Sequence, residues 1–598
     1  MAKGTPVVIY AETKTDWMIA AQAVFRQGCS VVTIYATLGQ DGVKHGVNQT
    51  EAPVVIADAK LMPCIMAIAA SCPHVKTLVT IGGEVTADQK AKLPPSVAVH
   101  AFDALLAAGT SGSAPAVAPQ PPVSSDVAVI MYTSGTTGAP KGVIIPHSAV
   151  CASMAGLKGA GKFTPDDVYL AYLPLAHIME MAAECVMFAI GCSVGYGSPQ
   201  TLTDSGLKLA PGTRGDAPTL RPTFMVFAPT VLDRVRATVQ GKVAAASSLQ
   251  QSVFNTALES GYAEFEAGRI GAPPLWNAIA FRKVQALIGG RVSVMISGSA
   301  PLSKETQRFA QTVFNCPVRQ GYGLTETCSA GTVGAYSDNT WSAGRVLQSC
   351  KLKLLDWEEG GYRVADEKDP AIGMPRGEVL IGGPVVANGY YQNKSSPDPE
   401  LDAKNASDFS VDADGTRYFH TGDIGQVTAD GTLQIIDRKK DLVKLQMGEY
   451  VALSKVENAM KQSNLVENAL CYAESSKSNV VALIVPAVPT LRAWAASAGR
   501  AADEEWAALC AAPEAQKAVL ASVQAACKGK LVAFEVPVAV ALVDDPWTPE
   551  NDGVTVRGGT SLAVRARADM RCALQAAMKL KRQVITKRHK DLLTAIYK

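Results

Sequence analysis

The first hundred residues alternate short apolar runs with amphipathic stretches. Residues 6–10 (PVVIY), 31–35 and 54–57 are continuous apolar runs of strand length, and residues 17–25 repeat apolar positions at helical spacing. Strand, helix, strand in this rhythm predicts an α/β sheet whose strands are covered on both faces. Residues 109–125 are rich in Pro, Ala, Ser and Gly and read as a linker. An apolar strand follows at 126–132 and runs into a glycine-rich turn. The pattern recurs at 291–296 (strand), 298–301 (loop) and 303–314, a helix that Ser303 is placed to cap. From 351 to 381 the chain becomes strand-rich, which predicts a small β-barrel or distorted sheet. Residues 437–441 (DRKKD) form a charged break. Beyond it, 456–463 and the Ala-rich 491–530 read as helices, and 480–486 and 538–543 as strands. The expected architecture is α/β: a large N-terminal domain of layered α/β sheets plus a small barrel, residues 1–436, and a smaller, mobile α+β domain, residues 437–598.

Composition narrows the class. The chain has 598 residues, more than one core accommodates. It is 48% apolar and 18% charged, with a formal net charge of +2. That balance fits a large globular enzyme and gives no field that selects nucleic acid. The 13 cysteines show no Cys-x-x-Cys pair, which predicts reduced, intracellular thiols. The apolar run at the N-terminus is too short for a secretory signal. No stretch has the length and apolarity of a transmembrane helix; the nearest, 185–196, is short and broken by Gly and Ser. The expected location is cytoplasmic, or peripheral on an internal membrane such as the endoplasmic reticulum, through an apolar patch.

The strongest chemical signal is residues 132–142, YTSGTTGAPKG. Its glycines let backbone wrap a phosphate. The hydroxyls of Thr133, Ser134, Thr136 and Thr137 donate to phosphate oxygens, Gly135 and Gly138 relieve crowding, and Lys141 supplies charge. It is not a Walker A loop, because Lys141 lies between Pro140 and Gly142 instead of preceding Ser or Thr. Elsewhere, Tyr322 between Gly321 and Gly323 can lay its ring on a base, and Glu326 is a hard oxygen ligand suited to Mg²⁺. Asp423 after Gly422 can accept both hydroxyls of a ribose. Taken singly, each residue has a blander reading as a turn or surface group.

Together these segments resemble the adenylate-forming superfamily. Residues 132–142 look like its phosphate loop, 320–327 (QGYGLTET) its adenine and metal motif, 418–424 (YFHTGDI) its ribose motif, and 437–441 its hinge. Residues 437–450, 173–180 (LPLAHIME), 229–233 and 546–551 are similar to the long-chain acyl-CoA synthetase branch. The resemblance implies activation of a long-chain fatty acid by ATP and Mg²⁺ through an acyl-AMP, then transfer to coenzyme A. It implies that Thr136 shares the metal with Glu326, that Gly298, Ser299, Ala300 and Thr325 border the nucleotide, and that Arg438 contacts ribose and phosphate. His177 borders the acyl pocket with a positional role, since a carboxylate is already an anion at neutral pH and needs no base. Lys440 is the expected hinge, Gly448 the residue that lets pantetheine pass, and Lys579 the lysine that joins carboxylate to α-phosphate, with Lys581 as its alternative. The family also implies a further segment before the first strand, whereas this chain's first strand begins almost at Met1, and an additional stretch, 554–571, precedes the lysine. Two other readings stay open: a ligase for another carboxylic acid, and an inactive paralogue that binds nucleotide or acyl groups.

Overall fold

The computed structural model describes residues 1–115, 117–133, 140–206, 208–393, 395–501, 503–545, 547 and 582–597. Two seven-stranded sheets dominate. The first runs in the order Ala98–Ala101, Thr77–Ile81, Val54–Asp58, Pro6–Tyr10, Ser30–Thr33, Val127–Thr133, Lys141–Pro146. Its strands are parallel except for the final hairpin. Val7, Val8 and Ile9 are all buried, as the unbroken apolar run requires of a strand covered on both faces.

The second sheet places Val318–Tyr322, Val294–Ser297, Phe224–Phe227, Val168–Ala171 and Ser193–Tyr196 side by side and parallel. Short antiparallel strands Thr332–Val333 and Arg345–Val346 extend its edge. Helix Lys304–Phe314 is capped by Ser303, whose hydroxyl accepts the Thr306 N–H at 3.1 Å. Helix Ile178–Ile190 packs over this sheet.

The strand-rich stretch forms a five-stranded antiparallel sheet: Lys351–Leu355, Arg376–Gly382, Arg417–Val427 and Phe409–Val411, with Leu433–Arg438 also paired to Arg417–Val427. No pairing closes it into a barrel among the described residues. The stretch from 109 opens in the last turn of helix Phe102–Ser111, which Gly112 ends at φ 71°.

Past residue 441 the chain builds its own core, in which Leu445, Val451, Val456, Ile484, Val519 and Val540 pack together. Its sheet is Val466–Tyr472, Val481–Pro486 and Ala539–Leu542. The Ala-rich region is three helices, Val488–Ser497, Trp506–Ala511 and Pro513–Cys527, the last opened by proline at its first position.

Candidate functional site

The C-terminal ends of the parallel strands open onto one cavity of about 1970 Å³. That exceeds the ~300–1,000 Å³ of an ordinary small-molecule site and suits several large substrates together. Thr133 ends one strand and Lys141 begins its hairpin partner, and the two face each other in register. Both line the cavity. The intervening Ser134, Gly135, Thr136, Thr137 and Gly138 lie outside the described residues, as does Lys579.

Lys141 Nζ stands over the Tyr390 ring at 5.4 Å. Burial lowers its pKa, and Lys404 lowers it further, while Asp408 and Glu326 hold it up. The Tyr390 hydroxyl lies 3.2 Å from Glu326 Oε1 and 2.9 Å from Asp408 Oδ2. One hydroxyl proton therefore serves two carboxylates, and Lys404 pairs with Asp408. This gives a cluster of hard oxygens and cations around Glu326, which sits in the short turn Thr325–Thr327. Nothing in the sequence around Tyr390, Lys404 or Asp408 pointed to this site.

Beside it, strand Val318–Tyr322 delivers Tyr322, whose hydroxyl donates to Asp423 Oδ2 at 2.7 Å. Asp423 and Arg438 are cross-strand neighbours, with Arg438 Nε 3.5 Å from Asp423 Oδ1. Asp423 is thus held between a phenol and a guanidinium. Gly422 takes φ +68°, and its N–H donates to Glu378 Oε1 at 3.1 Å. Lys439 donates to the other oxygen of Glu378 at 2.8 Å. At Gly323 a Cβ would stand 2.3 Å from the Ser329 carbonyl oxygen, so only glycine fits.

His177 caps helix Ile178–Ile190: its Nδ1 accepts the Met179 N–H at 3.1 Å. The proton of the neutral ring is then on Nε2, which faces Ser299 Oγ at 3.5 Å. Ser299 holds φ 71°, a costly conformation for serine, in the loop Gly298–Ser299–Ala300 that lines the cavity. His177 thus has Met179 N–H on one ring nitrogen and Ser299 Oγ at the other. From this point an apolar arm extends along the second sheet, lined by Leu157, Phe163, Ala183, Met187, Phe224 and Val226.

Helix Ile178–Ile190 also carries Glu180 and Glu184, both fully buried. Their Oε2 atoms accept the hydroxyls of Tyr169 at 2.8 Å and Tyr196 at 2.7 Å. Burial raises both pKa values, Glu184 to about 8.

From the C-terminal part, Lys440, Asp441, Lys461 and Arg582 reach the cavity wall. Arg582 pairs with Glu457 at 2.6 Å and Asp441 at 3.4 Å. Gly448, by contrast, is exposed at φ +98° in the hairpin between Leu442–Lys444 and Tyr450–Ala452, and is not part of the wall. That hairpin leans on the five-stranded sheet, where the Tyr450 hydroxyl donates to the Glu359 carbonyl at 2.5 Å. Arg236 donates to Gln462 Oε1 at 2.9 Å and Lys530 pairs with Glu305 at 3.0 Å, joining helices Pro229–Ala244 and Lys304–Phe314 to residues past 441.

Residues 1–391 match the family of AMP-binding enzymes. The chain belongs to that family. Among its relatives, long chain acyl-CoA synthetase 8 of Arabidopsis thaliana is 40% identical, the match covering 99% of this chain and 78% of the relative. Long-chain-fatty-acid–CoA ligase 1 of Schizosaccharomyces pombe is 33% identical, over 100% and 82% respectively. Within the AMP-binding family the chain therefore joins the long-chain acyl-CoA synthetases. Among solved structures, the A domain of a carboxylic acid reductase from Segniliparus rugosus, in complex with AMP and a co-purified carboxylic acid, superposes with a TM-score of 0.73 at 23% identity, over 100% of this chain and 83% of that one. This likeness concerns the fold.

Proposed function

We propose that the cavity activates a long-chain fatty acid with ATP and passes it to coenzyme A. One observation carries the reading: the phosphate-loop flanks Thr133 and Lys141, Arg438 with its partner Asp423 behind it, and the apolar arm meet at a single cavity, whose wall includes Thr133, Lys141 and Arg438. The carboxylate attacks the α-phosphate of ATP, pyrophosphate leaves, and acyl-AMP forms. The thiol of coenzyme A then attacks the acyl carbon and AMP leaves. No general base is needed for the first step. The site's task is alignment and charge neutralisation. Lys141 balances phosphate charge, Asp423 accepts the ribose hydroxyls, Arg438 bridges ribose and phosphate, and Gly298, Ser299, Ala300, Gly321 and Thr325 border the nucleotide.

The donor set suits Mg²⁺. Glu326 offers a hard oxygen, and no group of three metal-binding side chains occurs among the described residues. Mg²⁺ is commonly held by one or two carboxylates with substrate phosphates and water. When bound it supplies charge to the triphosphate; Glu326, with Thr136, would hold it.

We read residues 437–598 as a small domain that turns on Lys440 between the two steps. Gly448 lies off the cavity in the pose described, which fits a first-step arrangement that a rotation would exchange for one admitting the pantetheine arm. Lys579 would enter for adenylation and withdraw for thioester formation.

Among the described residues no helix is long and apolar enough to cross a membrane. A peripheral association is supported by exposed Leu275 and Ile279 beside Arg282 and Lys283 on one helical segment.

The test is thioester formation from purified protein, ATP, Mg²⁺ and coenzyme A across a fatty-acid series. Each buried CH₂ contributes about 0.8 kcal/mol, so affinity should climb with chain length until the arm is full. A flat response, or no thioester, would refute the reading.

A further inference from the structure

The apolar arm contains a charge. Arg319 lies on strand Val318–Tyr322, two residues before Gly321 and on the same face, in register with Ile296. Arg319, Gly321 and Ile296 all line the cavity, next to Phe163, Phe224 and Leu157. Arg319 is only 4% exposed. Its Nε–H donates to the Gly334 carbonyl at 2.7 Å and its Nη1 to the Ala160 carbonyl at 2.8 Å. The guanidinium lies over the Tyr336 ring at 4.2 Å. The Tyr336 side chain also hydrogen-bonds it; of a guanidinium's about five N–H bonds, these three partners leave some for a ligand.

Carbonyls and a ring orient the cation without cancelling its charge. No carboxylate forms an ion pair with Arg319 among the described residues, and Tyr336 is the one titratable neighbour that acts on it. Burial lowers its pKa, yet arginine remains charged throughout the working pH range. A buried cation without a counter-charge is costly. Facing a plain alkyl chain, it would be desolvated there, and any N–H bond beyond those to the two carbonyls and Tyr336 would meet only CH₂ groups.

Resting on the acyl role proposed above for this arm, we infer that Arg319 determines substrate specificity. It donates to an oxygen carried on the acyl chain away from the reacting carboxylate. The favoured substrates are thus oxygenated fatty acids, bearing a hydroxyl or a second carboxylate. Arg319 is set back from Gly321, which borders the nucleotide in the reading above, by two residues, about 6.6 Å at the usual ~3.3 Å rise per strand residue, so the recognised oxygen falls away from the nucleotide end of the cavity.

The experiment compares kcat/KM for hexadecanoate, a positional series of monohydroxyhexadecanoates and the dicarboxylate of the same length. The series separates a hydroxyl from a carboxylate as the recognised oxygen and locates it. The best oxygenated acid should exceed hexadecanoate by about tenfold or more, the factor that one hydrogen bond to a charged donor supplies. Arg319→Met should bring that ratio to about one, and Arg319→Lys, which keeps a cation, should retain part of it. A purely structural role for Arg319 would lower all acids together and leave the ratio unchanged in Arg319→Met. That result overturns the inference, as does a wild-type enzyme that prefers hexadecanoate. The wild-type ratio decides the matter even if a variant fails to fold. If the wild type makes thioester from none of these acids, the acyl-activating reading falls and this inference with it; if it uses hexadecanoate without preferring any oxygenated acid, this inference alone falls.

Discussion

Replacing Asp423 with asparagine tests the ribose contact with little change of shape. Asp423 is 6% exposed, accepts the Tyr322 hydroxyl at 2.7 Å and faces Arg438 at 3.5 Å. Asparagine keeps an oxygen for Tyr322, so that phenol retains an acceptor. What is lost is the charge. Arg438 is 32% exposed at its side chain, so solvent screens the missing partner and the stability cost should be about 1 kcal/mol, a few degrees in Tm. The catalytic effect should be larger. A hydrogen bond to a charged acceptor is worth about 1.5–3 kcal/mol, so kcat/KM for ATP should fall by about 10- to 150-fold. Pyrophosphate release at saturating fatty acid measures this directly. Deoxy-ATP lacking one ribose hydroxyl provides the second arm: it should cost the wild type more than it costs Asp423→Asn, because the contact it removes is already weakened in the variant. If Asp423→Asn uses ATP within about twofold of wild type while remaining folded, the ribose does not bind at Asp423 and the argument from the Tyr322–Asp423–Arg438 cluster fails.

Glu326→Gln should slow single-turnover acyl-AMP formation by about 10²-fold, the usual order for one charge-stabilising group in a water-poor site; adenylation at the wild-type rate would remove Glu326 from the metal site. Lys579→Ala should lose adenylation by about 10²–10³-fold yet convert preformed acyl-AMP and coenzyme A to thioester. If it adenylates normally and Lys581→Ala does not, the lysine is two residues further on. Burial raises Glu184 from 4.5 to about 8. The folded state therefore holds a proton that the unfolded state has released, and stability should drop as pH rises from about 5 towards 8. Glu184→Gln should flatten the Tm–pH slope in that window, and an unchanged slope would show that Glu184 ionises normally.

Local order and many of the residues of the candidate site were legible in the sequence, because each is marked by neighbours along the chain. The run PVVIY is a buried strand because every residue in it is apolar, and Ser303 caps its helix because hydroxyl and N–H lie three residues apart. Tyr322, Glu326 and Asp423 sit in short glycine-marked motifs and Arg438 in a charged one, and glycine at 323 is required by crowding against the Ser329 backbone just beyond its motif. The expected barrel was less legible. Alternation reveals strands, but whether a sheet closes depends on the pairing of strands distant in sequence.

Tertiary packing alone decided the remainder. Tyr390, Lys404 and Asp408 join Glu326 and Lys141 only because separate elements meet at the cavity rim. Glu180 and Glu184 read as an ordinary helix face until burial against Tyr169 and Tyr196 makes them a proton-holding pair. Arg319 precedes a recognisable motif without belonging to it. In sequence it is one of many arginines, and only the apolar walls of the arm turn it into an uncompensated buried charge. A sequence fixes which groups are available and their local geometry. Dielectric surroundings and the identity of distant partners, which set charge, pKa and specificity, arise only when the chain has folded.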